Sequence, residues 1–240
     1  MLHGLAGYGG EWAGTAAWLA PDYRVVAPDA LGHGANEGRP DDVSREAHVA
    51  DAVAVIEGEQ LAPAVVVGQS LGGITAMLLA ARHPELVHAL VVIEASPAGG
   101  DPELEKFVAE VADRLHRWPV PFATRAAAVE FFGGEDSAAA PVWAHGLEQR
   151  ADGLYPRFDV EILAETLRQA LANEHWQDWE RIRCPTLIVR GEHGTLDPQI
   201  ATEMLERLPH ARLVEIAGAG HDVHLERPSE WRAALQAFLV

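Results

Sequence analysis

"VVVGQSLGG" (65–73) is the stretch that decides how this chain folds. A β-branched apolar run enters Gly68-Gln69-Ser70-Leu71-Gly72 without a spacer, and a helix is expected from Ser70 to His83, stopped by Pro84. A strand that becomes a helix across one residue forces a strained backbone at Ser70. Side chains at Gly68 and Gly72 would collide across such a turn. The strain lifts the Ser70 hydroxyl above the sheet edge, at the positive end of the following helix. A stray G-x-S-x-G means little, but with a strand before it and a helix after it Ser70 reads as a nucleophile. A serine nucleophile needs donors for the oxyanion. The Leu71 N–H supplies one, and "LHGLAGYGG" (2–10) offers a loop whose Leu5 N–H can point back to Ser70. His3 on that loop reads as a structural hydrogen-bonding residue.

Around this turn, five short apolar runs read as strands: "RVVAP" (24–28), "AVVVG" (64–68), "ALVVI" (89–93), "TLIVR" (186–190) and "RLVEIA" (212–217). Most lack in/out alternation, as strands do in a parallel sheet covered on both faces. Helical patterns lie between them. Ser44 caps one through about Leu61, Pro198 starts one ending near Pro209, and Ser229 caps the last. The order predicts an α/β fold, a doubly wound and mostly parallel sheet. The alternation breaks once, so residues 96–183 read as an inserted helical cap, with residues 1–95 and 184–240 as the core. Helices are expected in the cap at Pro102–Leu115, Arg125–Phe132 and Val160–Asn173, and no strand is expected there. The cap holds ten of the sixteen aromatic residues, among them Trp118, Phe122, Phe131, Phe132, Trp143, Tyr155, Trp176 and Trp179. Most should pack the cap, and some should line an apolar pocket facing the sheet.

The 240 residues suffice for one sizeable core, and 48% hydrophobic with 22% charged residues is ordinary globular composition. A net charge of −18 argues against nucleic acid and anionic membranes as partners. A small molecule is the expected partner. Cys184 is the single cysteine, so no internal disulfide exists, and a reducing compartment, the cytoplasm, is the easier home. Its place before Pro185 suggests packing rather than reactivity. No eighteen-residue apolar run and no signal-peptide pattern is present. The histidines lack metal-site spacing, and the glycines of "GYGGEWAG" (7–14) do not follow a full strand, so no metal and no cofactor is expected.

The base should be His221, which ends "RLVEIAGAGH" just before the last helix and can reach the elbow from there. His224, three residues on, reads as a packing or solvent-facing residue. The order serine first, histidine last differs from chymotrypsin and subtilisin.

These segments together resemble the α/β-hydrolase fold superfamily, in its cap-bearing form, over nearly the whole chain. The resemblance rests on "HGLAG" (3–7), "VVAPDALGHGAN" (25–36), "GQSLGG" (68–73), "PTLIVRGE" (185–192) and "GAGHDVHLERP" (218–228). It implies that Asp29, Gly32 and Gly34 shape a turn beside the active site and that His33 is structural. Relatives carry two further strands and most of a third before the His-Gly loop, whereas this chain begins at Met1-Leu2. Either those strands lie outside this sequence or the sheet edge is truncated, and truncation would rest the Leu5 donor on a very short strand.

The resemblance also implies a triad acid after the penultimate strand, in a Gly-x-x-Asp pattern. Here Gly191 matches the glycine, and Gly194 stands where the Asp should be. Three carboxylates compete for the role. Asp197 precedes Pro198 and is fully explained as a helix N-cap. Glu192 would have to fold back. Glu94 closes the strand "ALVVIEAS" at the edge where the site must lie, as in some dehalogenases and lactonases, and a protonated histidine would compensate its burial. Glu94 is preferred, Asp197 comes second, and Glu192 or no carboxylate third. The expected activity is hydrolysis of a carboxylic ester or lactone of an apolar small molecule through an acyl-enzyme. Carbon–carbon bond hydrolysis and perhydrolysis use the same triad, and a non-catalytic receptor uses the same fold.

Overall fold

The computed structural model describes residues 1–36, 38–134 and 136–239. Four parallel strands carry the architecture: β1 (Ala64–Gln69), β2 (Val87–Ile93), β5 (Thr186–Gly191) and β6 (Ala211–Ile216), in the order β1-β2-β5-β6. Between and around them run α1 (Ala13–Leu19), α2 (Arg45–Gly58), α3 (Leu71–Arg82), α9 (Pro198–Arg207), α10 (Val223–Glu226) and α11 (Pro228–Leu239). The strand faces separate by alternate residues. Val66, Leu90, Val92 and Ile188 pack with residues of α2, α3 and α9. Val67, Val91, Ile93, Leu187 and Val189 pack with Leu19 of α1 and with Trp231 and Leu235 of α11. Both faces being covered, β2 and β5 are buried along nearly their whole length, which is why their sequences do not alternate. The last strand of the row, β6, is less buried, with Arg212 and Glu215 exposed and Leu213 and Val214 packed on opposite faces. Ten of the twelve residues of α3 are buried, which explains its apolar character all round.

The expected helix boundaries largely hold. Ser44 Oγ accepts from Ala47 N at 3.2 Å and caps α2. Ser229, however, does not cap the last helix: α11 starts at Pro228, whose fixed φ suits a first helical turn. The run 24–28 is a second correction. It forms no strand. A strand needs a partner ladder, and among the described residues the position beside β1 is met only by Leu2, whose N–H donates to Val67 O (2.8 Å) while its carbonyl accepts from Gln69 N (3.0 Å). A groove of about 470 Å³, lined by Val25, Val26, Val65 and Val67 among others, separates the 24–28 segment from β1.

Residues 96–183 hold α4 (Leu104–His116), α5 (Arg125–Phe131), α6 (Ala140–Gly146), β3 (Glu148–Arg150), β4 (Gly153–Tyr155), α7 (Val160–Leu171) and α8 (Trp176–Trp179). The pair β3–β4 is an antiparallel hairpin, contrary to the expectation of no strand. Three-residue strands are too short to show a period. Helices α4 and α7 share Val108, Ala164 and Leu167, and α5 and α6 enclose Phe122, Ala128 and Ala144. Trp176, Trp179 and Ile182, near the end of this segment, pack in the main core. Trp179 Nε1 donates to Met204 O at 2.8 Å, so that indole is both packed and satisfied. Two hydrogen bonds tie this segment to the N-terminal part of the chain. Gly34 N donates to Arg157 O (2.8 Å), and the Tyr8 hydroxyl donates to Val142 O (3.0 Å). Among the described residues no helix is long and apolar enough to cross a membrane.

Candidate active site

Four non-glycine residues have positive φ among the described residues, and three of them, Ala6, Ser70 and Glu94, sit at one place. Such conformations cost of order 1–3 kcal/mol each and persist only where the surroundings impose them. At Ser70 (φ 52°, ψ −119°) the cause is the elbow. A Cβ on Gly68 would lie 2.2 Å from Gly72 O, and one on Gly72 would lie 2.4 Å from Leu2 O. Ser70 N donates to Ile93 O at 2.8 Å, which ties the turn to the end of β2.

The oxyanion loop is held from behind. His33 Nε2 accepts from Ala6 N (3.2 Å), and His33 Nδ1 lies 2.9 Å from Leu31 O, so the proton sits on Nδ1. His3 Nε2 accepts from Ala30 N (2.9 Å), with its Nδ1 2.8 Å from Gly4 O. Both histidines are structural, as expected, and hold the loop 4–6 against the segment 30–33. Asp29 accepts from Gly9 N (2.7 Å) and Ala35 N (2.6 Å) and fixes the turn through Gly32 and Gly34, both at positive φ. Leu5, Ser70, Leu71 and His221 line one cavity of about 920 Å³. The Leu5 and Leu71 amides find no acceptor in the chain among the described residues. Phe107, Trp118, Phe131, Phe132, Trp143 and Phe158 line that cavity from the segment 96–183. Phe122, Trp176 and Trp179 are buried elsewhere and do not line it.

The acid position is the informative part. Glu94 (φ 51°) points its carboxylate into the loop after β5, where Oε1 accepts from Gly191 N (2.7 Å). Its Oε2 accepts from Leu196 N (3.0 Å), from Thr195 N and from the Thr195 hydroxyl (3.2 Å). His221 Nδ1 lies 3.5 Å from Glu94 Oε2 and 2.9 Å from Thr195 Oγ1. A Cβ on Gly194 would fall 2.2 to 2.3 Å from the Glu94 carboxylate atoms. Position 194 is glycine because the Glu94 carboxylate occupies the space a side chain would need.

The structure therefore brings Ser70, His221 and Glu94 to one site and leaves the other candidates outside. Asp197 Oδ1 accepts from Gln199 N (2.6 Å) and Ile200 N (3.4 Å), an N-cap of α9. Glu192 Oε2 accepts from Gly218 N (2.8 Å) and braces the turn after β6. His224 is buried, stacked on Trp12 with ring centroids 4.1 Å apart, so it packs. Cys184 is half-buried against the core, and burial pushes its thiol pKa up.

Electrostatics follow the geometry. Burial raises the pKa of Glu94, but the nearby His221 imidazole and the hydrogen bonds from Gly191, Leu196 and Thr195 together hold it below the ordinary carboxylate range. Burial lowers that of His221, and Glu94, Asp222 and Glu226 more than offset this, leaving it above the ordinary histidine value. Asp222 is pushed up, first by burial and then by Glu11 and Glu226. Two supports had no signal in the sequence pattern. Gln69 Nε2 donates to His221 O (3.1 Å), and Glu226 accepts from Gly220 N (2.7 Å) and Asp222 N (3.0 Å). Thr195 is a third.

A parallel sheet with a strained serine elbow, a histidine after the last strand and two free amides beside the serine defines a serine hydrolase. The α/β hydrolase fold family model matches residues 1–228, and the chain belongs to that family. It is 29% identical over 254 residues to the sn-1-specific diacylglycerol lipase ABHD11 of Mus musculus, spanning all of this chain and 80% of that protein. It is 32% identical over 253 residues to the pimeloyl-(acyl-carrier protein) methyl ester esterase of Chromobacterium violaceum, spanning all of this chain and 92% of that protein. The crystal structure of E-2-(acetamidomethylene)succinate hydrolase shares the fold with a TM-score of 0.89 at 22% identity, covering 99% of this chain and 89% of that one. With this membership the protein is an enzyme of the ester-hydrolase class.

Proposed function

We propose that Ser70, His221 and Glu94 form a catalytic triad that cleaves a carboxylic ester or lactone of an apolar small molecule through an acyl-enzyme. The observation that carries this is the partnering of His221. Its Nδ1 faces Thr195 Oγ1 and the Glu94 carboxylate, which is acceptor-only when ionised. The proton is thereby held on Nδ1, and Nε2 keeps the lone pair a general base needs. His221 takes the proton from Ser70 as the hydroxyl attacks the carbonyl, and the Leu5 and Leu71 amides receive the developing oxyanion. His221 then protonates the leaving alkoxide and activates water to release the acid. Removal of an oxyanion donor of this kind costs about 10²–10³ in rate, which sets the scale of the contribution from the two amides.

The segment 96–183 supports an apolar substrate, because six of its aromatic residues, Phe107, Trp118, Phe131, Phe132, Trp143 and Phe158, line the cavity that holds Ser70. Residues 96–183, read as a lid over the sheet edge, support the same reading, since Arg114, Leu147, Pro156 and Leu167 of that segment also line the cavity. A fluorophosphonate probe tests the nucleophile: labelling of the wild type and none of Ser70→Ala is expected. A panel of p-nitrophenyl esters and aryl lactones then reads the substrate class, with the apolar members turned over fastest. No labelling of the wild type would remove the hydrolase reading.

A further inference from the structure

We infer that the Thr195 hydroxyl is the group through which Glu94 positions His221, so that the resting site is a Glu94–Thr195–His221–Ser70 chain in which Thr195 is a positioning residue. This rests on the triad reading above and goes beyond it, because it assigns the immediate partner of the base to a residue that is neither acid nor base.

The hydrogen-bond inventory requires an intermediary. A carboxylate oxygen offers about two lone-pair sites. Glu94 Oε2 already faces three donors, Leu196 N, Thr195 N and Thr195 Oγ1. Its contact with His221 Nδ1 is the longest of the set at 3.5 Å, beyond the usual N–H···O range of 2.7–3.2 Å. Thr195 Oγ1, by contrast, is 2.9 Å from Nδ1. The hydroxyl has one proton and two lone pairs. The ionised carboxylate can only accept, so the Thr195 proton goes to Glu94 and a lone pair receives the Nδ1 proton. The Nδ1 proton then has a well-placed acceptor and the base is locked in the tautomer it needs. No proton travels along the chain during turnover. When Nε2 takes the Ser70 proton, both hydrogen bonds of Thr195 keep their direction and shorten, as charge-assisted bonds do.

The residue type fits. Two heavy substituents on Cβ restrict χ1, so the Thr195 hydroxyl is held more firmly than that of a serine. Its own N–H is anchored on the same Glu94 oxygen it serves, so backbone and side chain move together. The Glu94 carboxylate itself is fully buried, while the His221 side chain is 35% exposed. Thr195 stands where the buried charge meets the open cavity.

Thr195→Val keeps shape and the backbone anchor and removes only the hydroxyl, and Thr195→Ser keeps the hydroxyl. The His221 imidazole is titrated by NMR in the wild type and both variants, with Asp222 and Glu226, the other charges bearing on it, unchanged. In Thr195→Val the His221 pKa should drop by about one pH unit, and kcat on a p-nitrophenyl ester should fall roughly 10- to 100-fold, the scale of losing a fixed catalytic geometry. Thr195→Ser should restore both. A His221 pKa that stays or rises in Thr195→Val, as it would if the ring bonded Glu94 directly, overturns the inference. Should the wild type neither label with fluorophosphonate nor turn over esters, the hydrolase reading fails, and the imidazole titration still decides the bridge.

Discussion

Moving the acid one strand over offers a demanding test of the site. The Glu94 carboxylate sits 2.2 to 2.3 Å from where a Cβ on Gly194 would be, and Gly194 is not at positive φ, so its backbone accepts a side chain. An aspartate introduced at position 194 would carry its carboxyl carbon one bond past that Cβ. Its oxygens would therefore land in the region Glu94 now fills. Glu94→Ala should lower kcat by about 10³–10⁴, the scale seen when a triad histidine loses its orienting acid. It should also strip the acceptor from three backbone N–H groups, on Gly191, Thr195 and Leu196. At about 1–3 kcal/mol for each buried donor left unmet, less where water enters, the loss is on the order of 3 kcal/mol or more. Gly194→Asp alone should be nearly as damaging, since two carboxylates would share one site. The double variant Glu94→Ala/Gly194→Asp should recover roughly 10- to 100-fold in kcat over Glu94→Ala, together with part of the lost melting temperature, a strongly non-additive cycle. Steady-state kinetics on a p-nitrophenyl ester and thermal unfolding read both quantities. A folded double variant no faster than Glu94→Ala would refute the assignment of the acid, the more so if Asp197→Ala abolished turnover.

Asp197→Ala should cost about 0.5–2 kcal/mol as a lost helix cap and leave kcat within about twofold. Because His221 must be neutral to act and its pKa lies above the ordinary value, kcat/KM should rise with pH to a midpoint above ~6.5; a midpoint below it contradicts the Glu94 contact. Burial holds His33 and His48 uncharged down to about pH 3, so the unfolded chain takes up their protons first. Stability is then lost as pH falls from ~6.5 towards that value, at about 1.4 kcal/mol per unit for each histidine. Circular dichroism should show the acid midpoint of His48→Leu displaced to lower pH, and an unmoved midpoint would exclude His48 as a cause. Gly68→Ala should fail to give stable protein, since its Cβ would meet backbone 2.2 Å away, and a soluble, active variant would contradict the elbow geometry.

Sequence periods and single-residue backbone demands are local, and local features were readable in advance. The elbow at Ser70 follows from Gly68 and Gly72, the helix at 198 from Asp197-Pro198, and the four paired strands from their apolar runs. The segment 24–28 misled because its composition matches a strand, but pairing depends on what lies alongside, and only Leu2 meets β1 there. The hairpin of β3 and β4 was too short to read, and Trp176 and Trp179 looked like cap aromatics until packing put them in the core.

The acid shows where sequence stops and tertiary structure begins. From the chain alone, Gly194 marks an expected aspartate as missing, and capping removes Asp197 from contention. That Glu94 reaches the same spot depends on the pairing of β2 with β5, which sets the end of one strand beside the loop of the next. The role of Thr195 depends on more still, the counting of lone pairs around one buried oxygen. Hydrogen-bond saturation is a property of atoms drawn from residues a hundred positions apart, and no spacing in a linear sequence records it.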